Sequence, residues 1–251
     1  PSEEEFRRSA ERGTQNSVNV RTDVRRAPTS RDERKLQTRQ ALLDAALELG
    51  RQGGSLASIS LREVAREAGV VPTAFYRHFR DMDELGLALV DDVCLRLRQI
   101  IREARASARG ARDVAVQRSV RGFVTYVLAN ERAFEFLTRE RFGASRAVRQ
   151  AVAREIRYFS GELASDLRAA PPFSAMPGAD VEMVADLVVH TVLNLTADLL
   201  ELGEGQPVRE HEITARAIKQ LRLIFLGAAQ WRPERGAVPP PAAQGGPSGR
   251  P

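Results

Sequence analysis

Between residues 30 and 84 the chain spells out helix starts and stops so densely that only a few short helices followed by a long one satisfy it. Ser30 with Glu33, Ser60 with Glu63 and Asp81 with Glu84 each set a short oxygen acceptor three residues before a carboxylate. That reciprocal arrangement satisfies the orphaned amides of a helix start. Gly69 ends the second helix, because glycine alone enters left-handed backbone cheaply, and Pro72 opens the third where its missing N–H costs nothing. The first helix is expected to run to about Gly50 with Leu36, Leu43 and Leu47 on one face, and the fourth to about Gly110, roughly 40 Å at 1.5 Å per residue.

Beyond that stretch, apolar residues recur at helical spacing over about 113–129, 131–141 and 145–169. A breaker from Pro171-Pro172 to Gly178 precedes two apolar helices, about 180–202 and 209–231. No run of alternating β-branched residues signals a strand, so the expected fold is all-α. It would comprise a three-helix unit over 30–80 and a helical domain over 81–232. Residues 1–29 and 233–251 are polar or Pro/Gly-rich and read as a disordered basic arm and a disordered tail.

The net charge is +5 and the isoelectric point about 10.1. Arg21, Arg25, Arg26, Arg31, Arg34, Lys35 and Arg39 gather just before and within the first helix, where an arm would meet a phosphate backbone. Cys94 is the only cysteine, which excludes an intrachain disulfide and suits a reducing cytoplasm. No apolar stretch is expected to span a bilayer, and no basic-then-apolar leader opens the sequence. Neither a Ser/His/Asp ordering, paired catalytic carboxylates nor a phosphate-cradling glycine loop is present, so no enzyme site, cofactor or metal is expected.

The stretch SLREVAREAGVVPTAFYRHF carries the functional signal. Val64, Ala65 and Ala68 face inward on one helix, Ala65 being small enough for a close crossing. Gly69 permits the sharp turn, and Val70 with Phe75 fixes the interhelical angle. Thr73, Tyr76, Arg77 and His78 remain outward, supplying hydroxyl, guanidinium and imidazole donors for base edges and phosphates. This is helix-turn-helix spacing.

On Tyr76, His78 and Phe79, and on the layout of residues 33 to 231, the chain resembles the tetracycline-repressor family of bacterial regulators. The resemblance implies that Tyr76 and His78 hold phosphates, Thr73 approaches a base edge, and Lys35, Ser60 and Arg62 support backbone contacts. Two positions depart from the family's habit: Val71 stands where relatives place a Ser or Asn cap, and Met82 where they often carry a phosphate-binding Lys. The segments SLREVAREAG, PTAFYRHFRDMDELGLALVDD and RERFGASRAVRQAVAREI further resemble repressors of unsaturated fatty-acid synthesis and acyl desaturation. That likeness implies a long-chain acyl thioester as ligand.

Arg139 and Arg141 follow Phe134, Phe136 and Leu137 and are suited to the phosphates of a thioester carrier. Phe123, Phe134, Leu137, Phe142 and Phe159 are candidates for the wall of an apolar tunnel. Val184, Val188, Val192, Leu195 and Leu199 on one helix, with Ile213, Ala217, Leu221, Ile224 and Ala228 on the next, form stripes expected to pair across a two-fold axis as a homodimer. Such a dimer would read an inverted repeat in double-stranded DNA. Asp186, His190, Asn194 and Asp198 form a polar stripe, read as a solvated face or hydrogen-bonded seam rather than a metal site. The function expected is thus a repressor governed by an acyl thioester. The alternatives are the same fold sensing another hydrophobic compound, or a lipid-binding scaffold with a vestigial helix-turn-helix.

Overall fold

The computed structural model describes residues 30–52, 55–106, 112–203 and 205–232. The basic arm, the C-terminal tail and the expected helix end near Gly110 lie outside them. Nine α-helices and no strand occur among the described residues. They are α1 (Arg31–Arg51), α2 (Leu61–Glu67), α3 (Pro72–Phe75), α4 (Met82–Ala106), α5 (Arg112–Ala129), α6 (Glu131–Glu140), α7 (Arg146–Arg168), α8 (Gly178–Leu200) and α9 (Pro207–Gln230). Short 3-10 turns at Leu56–Ser58 and Phe173–Ala175 join α1 to α2 and α7 to α8.

Capping fixes the starts of the first two helices as expected. Ser30 Oγ accepts from the Glu33 amide at 3.1 Å while Glu33 accepts from the Ser30 amide at 3.1 Å. Ser60 and Glu63 repeat this at 3.3 and 2.8 Å. The third box is only half made: Asp81 Oδ1 accepts from the Glu84 amide at 2.8 Å, but the Glu84 carboxylate turns to the Arg80 amide at 2.6 Å. A longer carboxylate can reach back one residue further, and there it also meets the Arg80 side chain at 3.0 Å.

Two apolar cores share the length of α4. The lower joins Leu42, Leu43 and Ala46 of α1, Val64 of α2 and Phe75 of α3 to Leu85, Leu89 and Val90 of α4, and to Phe136 and Val148 of α6 and α7. The upper packs α4 to α9 around Phe123, Val127, Phe134, Phe173 and Phe225. The inner face expected for α1 is displaced: Leu36 is 68% exposed, and burial begins at Leu42. An apolar stripe is buried only where another helix lies beneath it, and residues 31–37 of α1 are all exposed.

The stripes expected to pair between subunits are likewise turned inward. Val184, Val188, Leu195, Leu199, Ala217, Leu221 and Ala228 are buried within this chain, and Val192, Ile213 and Ile224 are half-buried against the same core. α8 and α9 must first cover α5, α6 and α7, and they spend these residues doing so. Their outer faces carry Met183, Leu187, Leu223 and Leu226 instead. By length and composition alone α8 also qualifies as a membrane span, contrary to the expectation that no stretch would. Its inner face packs against α7 and α9.

Candidate nucleic-acid interface and ligand cavity

Val64 and Ala65, both fully buried, seat α2 within the three-helix head formed by α1, α2 and α3. Gly69 then adopts a φ of 69°, where a Cβ would be strained. The Val70 amide closes back on the Ala65 carbonyl at 2.9 Å, satisfying the end of α2. Phe75 returns to the core at 0% exposure, stacked edge-on to Tyr76 at 5.9 Å and tilted to Phe79 at 5.7 Å. α3 is regular only to Phe75. It continues with three-residue spacing, the His78 amide meeting the Phe75 carbonyl at 2.9 Å, and Val71 gives it no side-chain cap.

Thr73, Tyr76 and Arg77 stand exposed on the outside of α3, and His78 is half-buried beside them. Lys35 and Arg39 of α1 converge on His78 closely enough to affect its titration. The Arg39 guanidinium also lies 5.3 Å over the Phe79 ring. Arg62 is exposed, and so is Ser60, but the Ser60 hydroxyl is engaged by Glu63 at 2.7 Å. Its contribution to an anion would come through the start of α2 rather than the free hydroxyl. Burial first, then the charges of Lys35, Arg39 and Arg77, hold the His78 imidazole below its usual range.

A second feature lies above the head. A cavity of about 900 Å3 opens among α4 to α9, near the upper end of the range for small-molecule sites. Phe123, Phe134, Leu137, Arg141, Phe142 and Phe159 all line it. Arg139 does not: its guanidinium donates to the Gly50 carbonyl at the end of α1. Residues two apart on a helix point to nearly opposite sides, about 200° apart, so only one of Arg139 and Arg141 can face the cavity. Arg141 stacks 5.3 Å over Phe142, which is 81% exposed. Cys94 is buried in the wall, and burial foremost pushes its thiol up to about 12, leaving it unreactive.

The wall contains polar groups that sequence reasoning missed. Arg102 and Arg105 line the cavity and pair with Glu162 and Asp166 of α7, each at 2.6 Å. Arg98 lies 3.2 Å from Glu155 Oε2, off the hydrogen-bond axis. The signal was there: Arg98, Arg102 and Arg105 share one face of α4, and Glu155, Glu162 and Asp166 share one face of α7. Along α8, His190 Nδ1 meets the Asp186 carbonyl at 2.8 Å, Asp198 pairs with Arg216, and Asn194 lines the cavity.

A family model described as "Bacterial regulatory proteins, tetR family" matches residues 42–89, and one described as "Tetracyclin repressor-like, C-terminal domain" matches residues 113–227. The chain belongs to the tetracycline-repressor family. It is a DNA-binding transcriptional regulator, and α2 and α3 are its helix-turn-helix.

Solved structures agree with this regulator in fold. A transcriptional regulator from Rhodococcus sp. Rha1 is 22% identical with a TM-score of 0.58, covering 78% of this chain and 97% of that one. The fatty acid degradation regulator FadR from Bacillus halodurans is 13% identical with a TM-score of 0.57, covering 76% and 95%. SmeT in complex with triclosan is 22% identical with a TM-score of 0.56, covering 76% and 90%.

The lowered His78 titration gives a pH prediction for the regulator. Phosphates at the head would replace a field of like charge with one of opposite charge and raise the imidazole pKa, so binding takes up a proton. Operator affinity should therefore strengthen as pH falls from 7.5 through the histidine range, and this slope should vanish in His78→Gln. Equal slopes in both proteins would exclude a phosphate contact at His78. For the free protein the sign is opposite: a depressed histidine pKa means stability is full above the unfolded value and declines as pH falls through the folded one.

Proposed function

We propose that this regulator is a homodimeric repressor that binds an inverted-repeat operator and answers to a long-chain acyl thioester held in the cavity. The observation that carries the ligand reading is the pairing of a large apolar chamber with Arg141, which among the described residues has no carboxylate partner. A hydrocarbon chain gains by leaving water for such walls, and a guanidinium at the wall is free to take the phosphates of a carrier. Arg102 and Arg105 are less available, since each already holds an acid. The fold likeness to a regulator of fatty acid degradation supports the reading.

DNA would be met by Thr73, Tyr76, Arg77 and His78, with Lys35, Arg62 and the start of α2 at Ser60 on the phosphates. The dimer would form through the outer faces of α8 and α9, around Met183, Leu187, Leu223 and Leu226. Saturated and unsaturated coenzyme A thioesters of equal length should enter the same cavity yet shift operator affinity by different factors. A straight and a kinked chain fill a close-packed space differently, and a ligand acts only through its differential affinity for two states. The test titrates stearoyl- and oleoyl-coenzyme A against a fixed concentration of operator selected from genomic fragments. Identical curves, or no effect despite measured binding, would end the acyl reading.

A second reading, the same fold sensing another hydrophobic compound, is favoured by the neighbour solved with triclosan. Native mass spectrometry of the purified protein separates the two by the mass carried. Failure to retain any DNA selectively would instead restore the scaffold reading.

A further inference from the structure

The last turn of α6 faces two ways. Leu137, Thr138 and Arg141 line the cavity, while Arg139 and Glu140 between them turn toward the reading head. Glu140 is 1% exposed. Its Oε1 accepts hydrogen bonds from the Leu56 amide at 2.8 Å and the Ser55 hydroxyl at 3.1 Å, both in the turn that leads from α1 into α2. Its Oε2 is buried with no hydrogen-bond partner, and among the described residues no cation pairs with the carboxylate. Leu56 is equally committed. A Cβ built on Gly86 of α4 would come within 2.4 Å of its side chain and 2.8 Å of Val148 on α7, so Leu56 fills a notch between those helices.

A buried carboxylate with no counter-ion is a poor device for stability alone, because an apolar side chain of the same size would pack there without losing hydration. What it does supply is direction. A bond from a backbone N–H to a carboxylate is strong when aligned and weakens steeply as its geometry degrades. It therefore marks one relative placement of α6 and the head. The missing second partner leaves that placement incompletely secured, as a releasable contact requires.

We infer that Glu140 is a positioning residue for DNA binding, a latch through which the packing of the cavity wall sets the stance of α2 and α3. Residues 137 to 141 lie within about one helical turn and move together. Anything that displaces Leu137 and Arg141 carries Glu140 with it, and the Leu56 amide either follows or is released. Both outcomes shift the head against α4. The inference rests on the chain's DNA-binding role and on the cavity, and it is independent of which compound fills the cavity.

Coupling between sites is reciprocal, so operator binding must be felt at the cavity wall. The experiment is amide hydrogen exchange on the full chain, free and saturated with operator selected from random DNA. It compares the native protein with Glu140→Leu, Glu140→Gln and Gly143→Ala. The last keeps the glutamate but sets a methyl 2.2 Å from Glu140 Oε2, displacing the carboxylate from outside and serving if Glu140→Leu does not fold. In the native protein operator should change exchange at the Leu56 amide and along 137–142 by about fivefold or more. Glu140→Gln, which keeps an acceptor, should retain that response. Glu140→Leu and Gly143→Ala should retain protection over α2 and α3 on binding DNA but lose the response along 137–142. No response there in the native protein, or an undiminished one in Gly143→Ala, would overturn the latch.

Discussion

Phe75→Ala should lower stability by about 3–5 kcal/mol and abolish operator binding at every salt concentration. The ring is at 0% exposure in the lower core, so truncation removes its transfer energy and leaves a void that the head is too small to close. The loss falls at the join of α3 to its support, because Tyr76 and Phe79 both stack on this ring. α3 is regular for only four residues and cannot persist without it. Thermal unfolding with operator titration checks the expectation. A variant that melts several degrees lower yet binds operator normally would show that the reading surface does not depend on the Phe75 contact.

Leu223→Asp combined with Leu226→Asp should yield monomers and weaken operator binding by a factor of about 10²–10⁴, the loss on turning a two-headed contact into a single one. Leu223 and Leu226 are 72% and 68% exposed on α9, beside the outward Met183 and Leu187 of α8. Paired by a two-fold axis, these faces would close a bundle and set two heads roughly 34–36 Å apart on successive turns of DNA. Leu221→Asp is the control. That residue is buried within the chain, so its substitution should unfold the protein rather than dissociate it. Sedimentation reads the difference, and a dimer that survives the double substitution would move the interface elsewhere.

Helix starts were legible in the sequence because a capping pair is local: the two atoms that satisfy each other lie three residues apart, and only a half-made box at Asp81 escaped. The turn of the reading head was legible for the same reason, through Gly69, Pro72 and Phe75. Which side of α8 and α9 faces inward was not. Both helices carry apolar residues on more than one side, Val184 and Val188 lying about 100° around α8 from Met183 and Leu187, and periodicity cannot say which side another helix will cover. Leu36 failed similarly, since its exposure depends on what the fold lays against the start of α1 rather than on its neighbours in sequence. Arg139 and Arg141 were separable only by phase about α6, and Glu140 only by the distant Leu56 amide 84 positions away.

α4 serves two owners at different heights: Leu85, Leu89 and Val90 belong to the lower core, Leu97 and Ile101 to the chamber wall. Cys94 on α4 and Leu137, Val152, Ile156 and Phe159 on α6 and α7 belong to both, so mutations that remodel the chamber at its other positions can accumulate while the operator contacts stay intact, and the reverse. A lineage carrying this layout can acquire a new ligand without rewriting its promoters. An engineer can do the same by diversifying Leu97, Ile101, Val116, Val120, Val188 and Val192 and selecting on an unchanged operator. The notch at Gly86 is the place to leave alone, since any side chain there collides with the turn feeding the reading head.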